Sequence, residues 1–155
     1  MKLKALSALA AIALLAACES APQNTGAETG AGAGAIRPGS QEDLAATAGD
    51  RILFDFDRST IRADARAILD RQAPWFAKYP EVRATIEGHT DERGTREYNL
   101  ALGQRRANAA RDYLVARGVS GARLSTISYG KDRPAALGST EEAWAQNRRA
   151  VTVVQ

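Results

Sequence analysis

Val82-Arg83-Ala84-Thr85-Ile86-Glu87-Gly88-His89-Thr90-Asp91 decides the fold. Val82, Ala84 and Ile86 alternate with Arg83, Thr85 and Glu87, the two-residue period of a strand with one buried face. Beyond it Leu100, Gly103, Ala107, Ala110 and Leu114 recur at helical spacing. A helix from about Arg96 to Arg117 is expected, with Gly118 as its C-terminal cap. The strand therefore ends on an acid, and an arginine, Arg106, follows 15 positions later on the helix. One turn of the fold can bring both to a single cavity. A carboxylate and a guanidinium so placed suit a small zwitterion: the acid takes an ammonium, the arginine a carboxylate through two parallel hydrogen bonds. The same spacing also fits an ordinary ion pair between a loop and a helix.

Upstream, Ile52-Leu53-Phe54 and Phe56 suggest a short strand. Ile61, Ala65, Ile68, Leu69, Trp75, Phe76 and Tyr79 then follow a helical period. Pro74 should break or bend that helix near Asp70, because it removes one backbone hydrogen bond. Tyr79-Pro80 should end it. Downstream, Leu124 to Ser128 reads as a strand, Lys131 to Gly138 as a loop, Glu141 to Asn147 as a short helix and Ala150 to Val154 as a last strand. Strands alternating with helices give an α/β layer fold, an α+β sandwich.

The first fifty residues have another character. Lys2 and Lys4 precede an apolar run from Leu6 to Ala17, too short for a membrane span and suited to a signal core. Leu15-Ala16-Ala17-Cys18 follows and contains the only cysteine. The stretch resembles a bacterial lipobox, which implies a signal peptide over residues 1–17, cleavage before Cys18 and acylation there. Three acyl chains would make release very slow, since two membrane signals already give stable attachment. Residues 18–50 read as a lipidated flexible tether. They hold no aromatic residue, and Thr25 to Gly39 is mostly Ala and Gly with Thr and Pro. Such a segment buries too little apolar surface to offset its ordering entropy. About thirty flexible residues reach roughly 30 Å on average and roughly 100 Å when stretched. The folded domain is expected over residues 51–155.

The net charge of the chain is +3. Residues 19–50 hold five acids and only Arg37, whereas residues 51–155 hold 18 basic and 13 acidic residues. No basic run is interleaved with aromatics, so nucleic acid is not an expected partner. His89 is the only histidine, and a zinc site needs three or four ligands, so no metal and no cofactor are expected. Ser59, Ser125 and Ser128 lack a nucleophile motif. Asp55 and Asp57 lie at alternate positions of the expected first strand without a defined groove, so no catalytic residue is expected and the chain does not read as an enzyme. Trp75 reads as core; Trp144 fits core or a partner-facing surface.

Gly88-His89-Thr90-Asp91-Glu92-Arg93-Gly94-Thr95, Tyr98-Asn99, Leu102-Gly103 and Arg105-Arg106-Ala107-Asn108 together resemble the signature of OmpA-like peptidoglycan-binding domains. Phe54-Asp55-Phe56-Asp57, Ser128-Tyr129-Gly130-Lys131 and Asn147-Arg148-Arg149-Ala150-Val151 extend the match. Within that family the pattern is most similar to the lipid-anchored members of the Tol-Pal system. The resemblance implies a mixed sheet with two main helices on one face. It also implies an outer-membrane lipoprotein facing the periplasm that binds peptidoglycan through the meso-diaminopimelate of its peptide stem, with TolB and other Tol proteins as partners. Glu19 after the cysteine, in place of aspartate, agrees with the outer membrane by analogy. By motif position, Asp91 takes the ammonium and Arg106 the carboxylate; Thr90, Asn99 and Leu102 line the site, and Asp57 and Arg148 are neighbours. The pocket is expected to stand open to water. Two other readings are a hub that mainly binds Tol proteins and, less well supported, a wall hydrolase.

Overall fold

In a computed structural model, residues 36–155 are described. Four helices and four strands follow in the order α1 (Gln41–Thr47), β1 (Arg51–Leu53), α2 (Ala63–Lys78), β2 (Ala84–His89), α3 (Arg96–Ala116), β3 (Leu124–Gly130), α4 (Glu141–Asn147) and β4 (Arg149–Val154), with a single 3-10 turn at Gly121–Arg123. The sheet order is β1-β4-β2-β3. β4 runs antiparallel to both β1 and β2, and β2 and β3 are parallel. The alternation of β2 has the expected consequence: Ala84 and Ile86 are buried, Thr85 and Glu87 only partly. With Ile52, Leu124 and Ala150 they form the sheet's contribution to the core, which Leu69, Phe76, Ala107, Ala110 and Leu114 of the two long helices cover.

Helix α3 reaches the sheet at a glycine pair. A Cβ on Gly88 would collide with the Gly103 carbonyl, and one on Gly103 would collide with Ser128 Oγ and crowd the Gly88 carbonyl. Only hydrogen side chains permit this approach.

Three expectations change. First, Asp70 does not end a helix, because α2 runs through Pro74. Asp70 and Pro74 both face solvent, so water can satisfy the Asp70 carbonyl that proline leaves unpaired, while Leu69, Gln72, Ala73, Trp75 and Phe76 gain burial. Second, β1 stops at Leu53, so Asp55 and Asp57 share no strand face; Asp57 has φ 54°, outside extended geometry. Third, the expected tether cannot extend to residue 50. Ser40 caps α1 by accepting from the Asp43 amide, and Leu44 within it is fully buried in the core. Trp75 Nε1 donates to Asp43 Oδ2 at 3.0 Å, and the Gln41 side chain bonds the Thr152 carbonyl and the Val154 amide. The signal segment, Cys18 and the rest of the tether lie outside the described residues.

Candidate functional site

A cavity of about 190 Å³ opens between the end of β2, the start of α3 and the loop after β1. The β2–β3 register shifts between Gly88 and His89, and Thr90 then donates to the Gly130 carbonyl at 2.9 Å, which fixes where Asp91 leaves the sheet. Asp91 Oδ1 accepts from the Arg93 amide at 3.1 Å in a side-chain-closed turn. Thr95 caps α3, and Asn99 Nδ2 donates to the carbonyls of Arg93 and Thr95, so the helix start holds the loop in place. Asn99, Leu102 and Arg106 stand three and seven positions apart, one face of a helix, and all three line the cavity.

Six of the seven residues expected at a ligand site surround this cavity: Asp57, Thr90, Asp91, Asn99, Leu102 and Arg106. Arg148 is not in its lining. It stands behind, with Nη1 3.3 Å from Asp91 Oδ2, Nη2 2.6 Å from Glu141 Oε1, and Nε donating to the Phe54 carbonyl. The cavity is lined further by Phe56, Arg93, Gly94 and Tyr98. Tyr98 hydroxyl donates to Asp57, joining the two sides of the rim.

Asp91 and Arg106 do not form a salt bridge. Arg106 has no exposed surface and donates three bonds to main-chain carbonyls: Nε to Arg58 and Nη1 to His89, both at 2.8 Å, and Nη2 to Asp55 at 3.1 Å. Five N–H groups minus these three leave donors on the terminal nitrogens without a protein partner. Burial lowers the Arg106 pKa to about 10, against the opposing pull of Asp91, and the group stays charged at neutral pH. The cavity is open as expected, but its charged floor is buried, because the same arginine also ties the loop after β1 to the end of β2. Burial alone would raise the Asp91 carboxyl, but the Arg93 hydrogen bonds and charge, with Arg148, outweigh it and hold the acid below the usual carboxylate range.

Arg93 lies within the Gly88–Thr95 motif but carries no expected role there. Its place two residues after an acid, in a turn that the acid closes, was the available signal. Its guanidinium carbon lies 3.9 Å from the Phe56 ring centre and 4.1 Å from that of Trp144. Trp144 thus packs on a lining residue without lining the cavity itself, and its Nε1 donates to Glu92 Oε1 at 3.0 Å. Among the described residues no group of three or more His, Cys, Asp and Glu gathers as a metal site, and no helix is long and apolar enough to cross a membrane.

The OmpA family model matches residues 53–148, the span from the last residue of β1 to the residue before β4. The chain belongs to the OmpA family. It is 62% identical over 142 residues to the peptidoglycan-associated lipoprotein of Rhizobium meliloti, covering 90% of this chain and 81% of the relative. The protein of the same name from Brucella melitensis is 56% identical over 144 residues, 93% and 85% of the two chains. Among solved structures, the peptidoglycan-associated lipoprotein from Burkholderia pseudomallei superposes with a TM-score of 0.67 at 46% identity, over 68% of this chain and 90% of that one. The C-terminal domain of Helicobacter pylori MotB gives 0.64 at 26% identity, over 68% and 84%. These relatives are named for association and not for catalysis, and this OmpA-family chain is not an enzyme.

Proposed function

We propose that this OmpA-family chain is an outer-membrane lipoprotein, anchored through Cys18, that holds peptidoglycan without a covalent bond. Its domain faces the periplasm, and its ligand is the meso-diaminopimelate of the peptide stem. In this reading it serves envelope integrity and cell division, with TolB and other Tol proteins as its partners. The names of its relatives support the wall-binding part.

One observation carries the site assignment. Arg106 is a fully buried cation that lines a cavity and has only neutral carbonyls as partners among the described residues. A buried charge is costly without a counter-ion, so an incoming carboxylate gains unusually from meeting it. The neighbouring Asp91 offers the complementary charge to an ammonium. An α-amino acid terminus on a flexible stem carries both groups, and the free end of diaminopimelate is such a terminus.

Co-sedimentation of the detergent-solubilised chain with purified sacculi tests this. Binding is expected to saturate and to be competed by free meso-diaminopimelate, but not by a diamine without carboxylates. Retention on sacculi that free meso-diaminopimelate leaves unchanged would defeat the proposed ligand.

A further inference from the structure

The seat proposed for the ammonium is already filled from within. Arg93 Nη2 sits 2.6 Å from Asp91 Oδ2. The Phe56 and Trp144 rings flank the same guanidinium. Phe56 is 55% exposed, a large apolar side chain left at the surface to face this cation. The buried Arg93 Nε has no hydrogen-bond partner, so the side chain is held by Asp91, by a longer 4.0 Å contact of Nη2 with Glu141 Oε2 and by two ring faces, and not by a closed polar network. The next residue, Gly94, has φ +95° and lines the same cavity. Arg106, by contrast, is pinned by three main-chain bonds. The two arginines therefore differ in kind: one is fixed, the other replaceable.

We infer that Arg93 is an internal stand-in for the ligand's ammonium, a specificity-determining residue that a true ligand must displace from Asp91. This rests on the proposed use of Asp91 and Arg106 for a zwitterion. A plain amine gains only Asp91 and loses the Arg93 pair and its two ring contacts, so it does not enter. A zwitterion also brings a carboxylate to Arg106, and that second contact offsets the displacement. The device turns a site that attracts any cation into one that requires both charges on one molecule. It also lowers apparent affinity by the fraction of time the seat is vacant.

The test uses the full chain in detergent, with free meso-diaminopimelate and cadaverine as probes and tryptophan emission as a second readout. Arg93→Gln is expected to bind meso-diaminopimelate roughly tenfold more tightly, the factor expected if the seat is vacant about a tenth of the time. It is expected to begin binding cadaverine, which the wild type excludes. Phe56→Leu removes one ring wall and should shift both affinities in the same direction. In the wild type, ligand should change the emission of Trp144 as the guanidinium leaves its face; Trp144→Phe should abolish that change, and Arg93→Gln should lack it. Weaker or unchanged binding of meso-diaminopimelate by Arg93→Gln, with Asp91→Asn still inactive, would overturn the stand-in while leaving the site reading intact. Undiminished binding by Asp91→Asn would defeat the site reading itself.

Discussion

Arg106 Nη1 donates to the His89 carbonyl oxygen at 2.8 Å, two residues before Asp91 in the chain. The residue proposed to take the ligand's carboxylate thus also sets the position of the strand end that carries the acid. Binding and architecture share one side chain, and substitutions here must be read on both scales.

Arg106→Lys keeps the charge and loses the planar fork. It cannot serve three carbonyls in three directions. Denaturant unfolding should show a loss of about 2 kcal/mol, in the range for leaving buried carbonyls unpaired. Sacculus binding should fall by roughly 2–5 kcal/mol, the usual cost of breaking a buried charged contact. Asp91→Asn should cost as much in binding. Because its neighbours hold the Asp91 carboxyl below the usual range, wild-type binding should survive mild acid and fail only as pH falls below that range. Wild-type affinity in both variants would remove the site.

His89 gives a second test, one of stability alone. It is 2% exposed, and neither ring nitrogen has a hydrogen-bond partner. Its ring lies 5.6 Å from that of Tyr129. Burial, helped by the charges of Arg149, Arg133 and Arg51, lowers its pKa from 6.5 to about 4. Above pH 6.5 the folded and unfolded chains both hold a neutral imidazole. As pH falls from 6.5 toward 4, the unfolded chain takes up a proton that the folded chain refuses. Stability should therefore decline across that window, by up to about 3 kcal/mol, and level off below it. His89→Phe should remove the slope and hold neutral-pH stability near wild type, since an apolar ring leaves no orphaned polar atom. An equal slope in that variant would assign the proton elsewhere.

Gly88→Ala tests how closely α3 sits on the sheet. The added methyl would meet the Gly103 main chain, which cannot rotate away. A loss of about 3 kcal/mol or failure to fold is expected, the upper end for overpacking. A thermal melt within a degree or two of wild type would show that the helix can shift at little cost.

The N-terminal boundary supplies a fourth prediction. A chain begun at residue 51 loses the buried Leu44 and the Asp43 partner of Trp75. It should melt well below one begun at residue 36, and Leu44→Ala alone should cost about 2–5 kcal/mol. Equal melting of the two fragments would return residues 40–50 to the tether.

The strand at β2, the helix at α3 and the short helix at Glu141–Asn147 were legible because each carries a strict period or a compact run between turn signals. Helix α1 was not, since one leucine in seven residues makes no period. Its signal was local: Ser40 followed three residues later by Asp43, the start of a capping motif. The Asp91–Arg106 spacing led to the cavity, yet spacing carries no information about who else is there. That Arg106 would spend three donors on carbonyls depends on the loop after β1, which folds back across a strand read as longer than it is. That Arg93 would fill the acid's seat depends on Phe56 and Trp144, 88 residues apart in the chain.

The sheet order places β4, the last element formed in chain order, between β1 and β2. β1 has no strand partner, and β2 has one on its β3 side only, before residues 149–154 have left the ribosome. Until then a growing chain can form only its helices and the parallel β2–β3 pair, and the rest of the sheet must wait for a distant segment. Acquisition of structure should come in one late, cooperative step limited by long-range strand pairing. The central place of β4 thus leaves the sheet incomplete until residues 149–154 are available to pair.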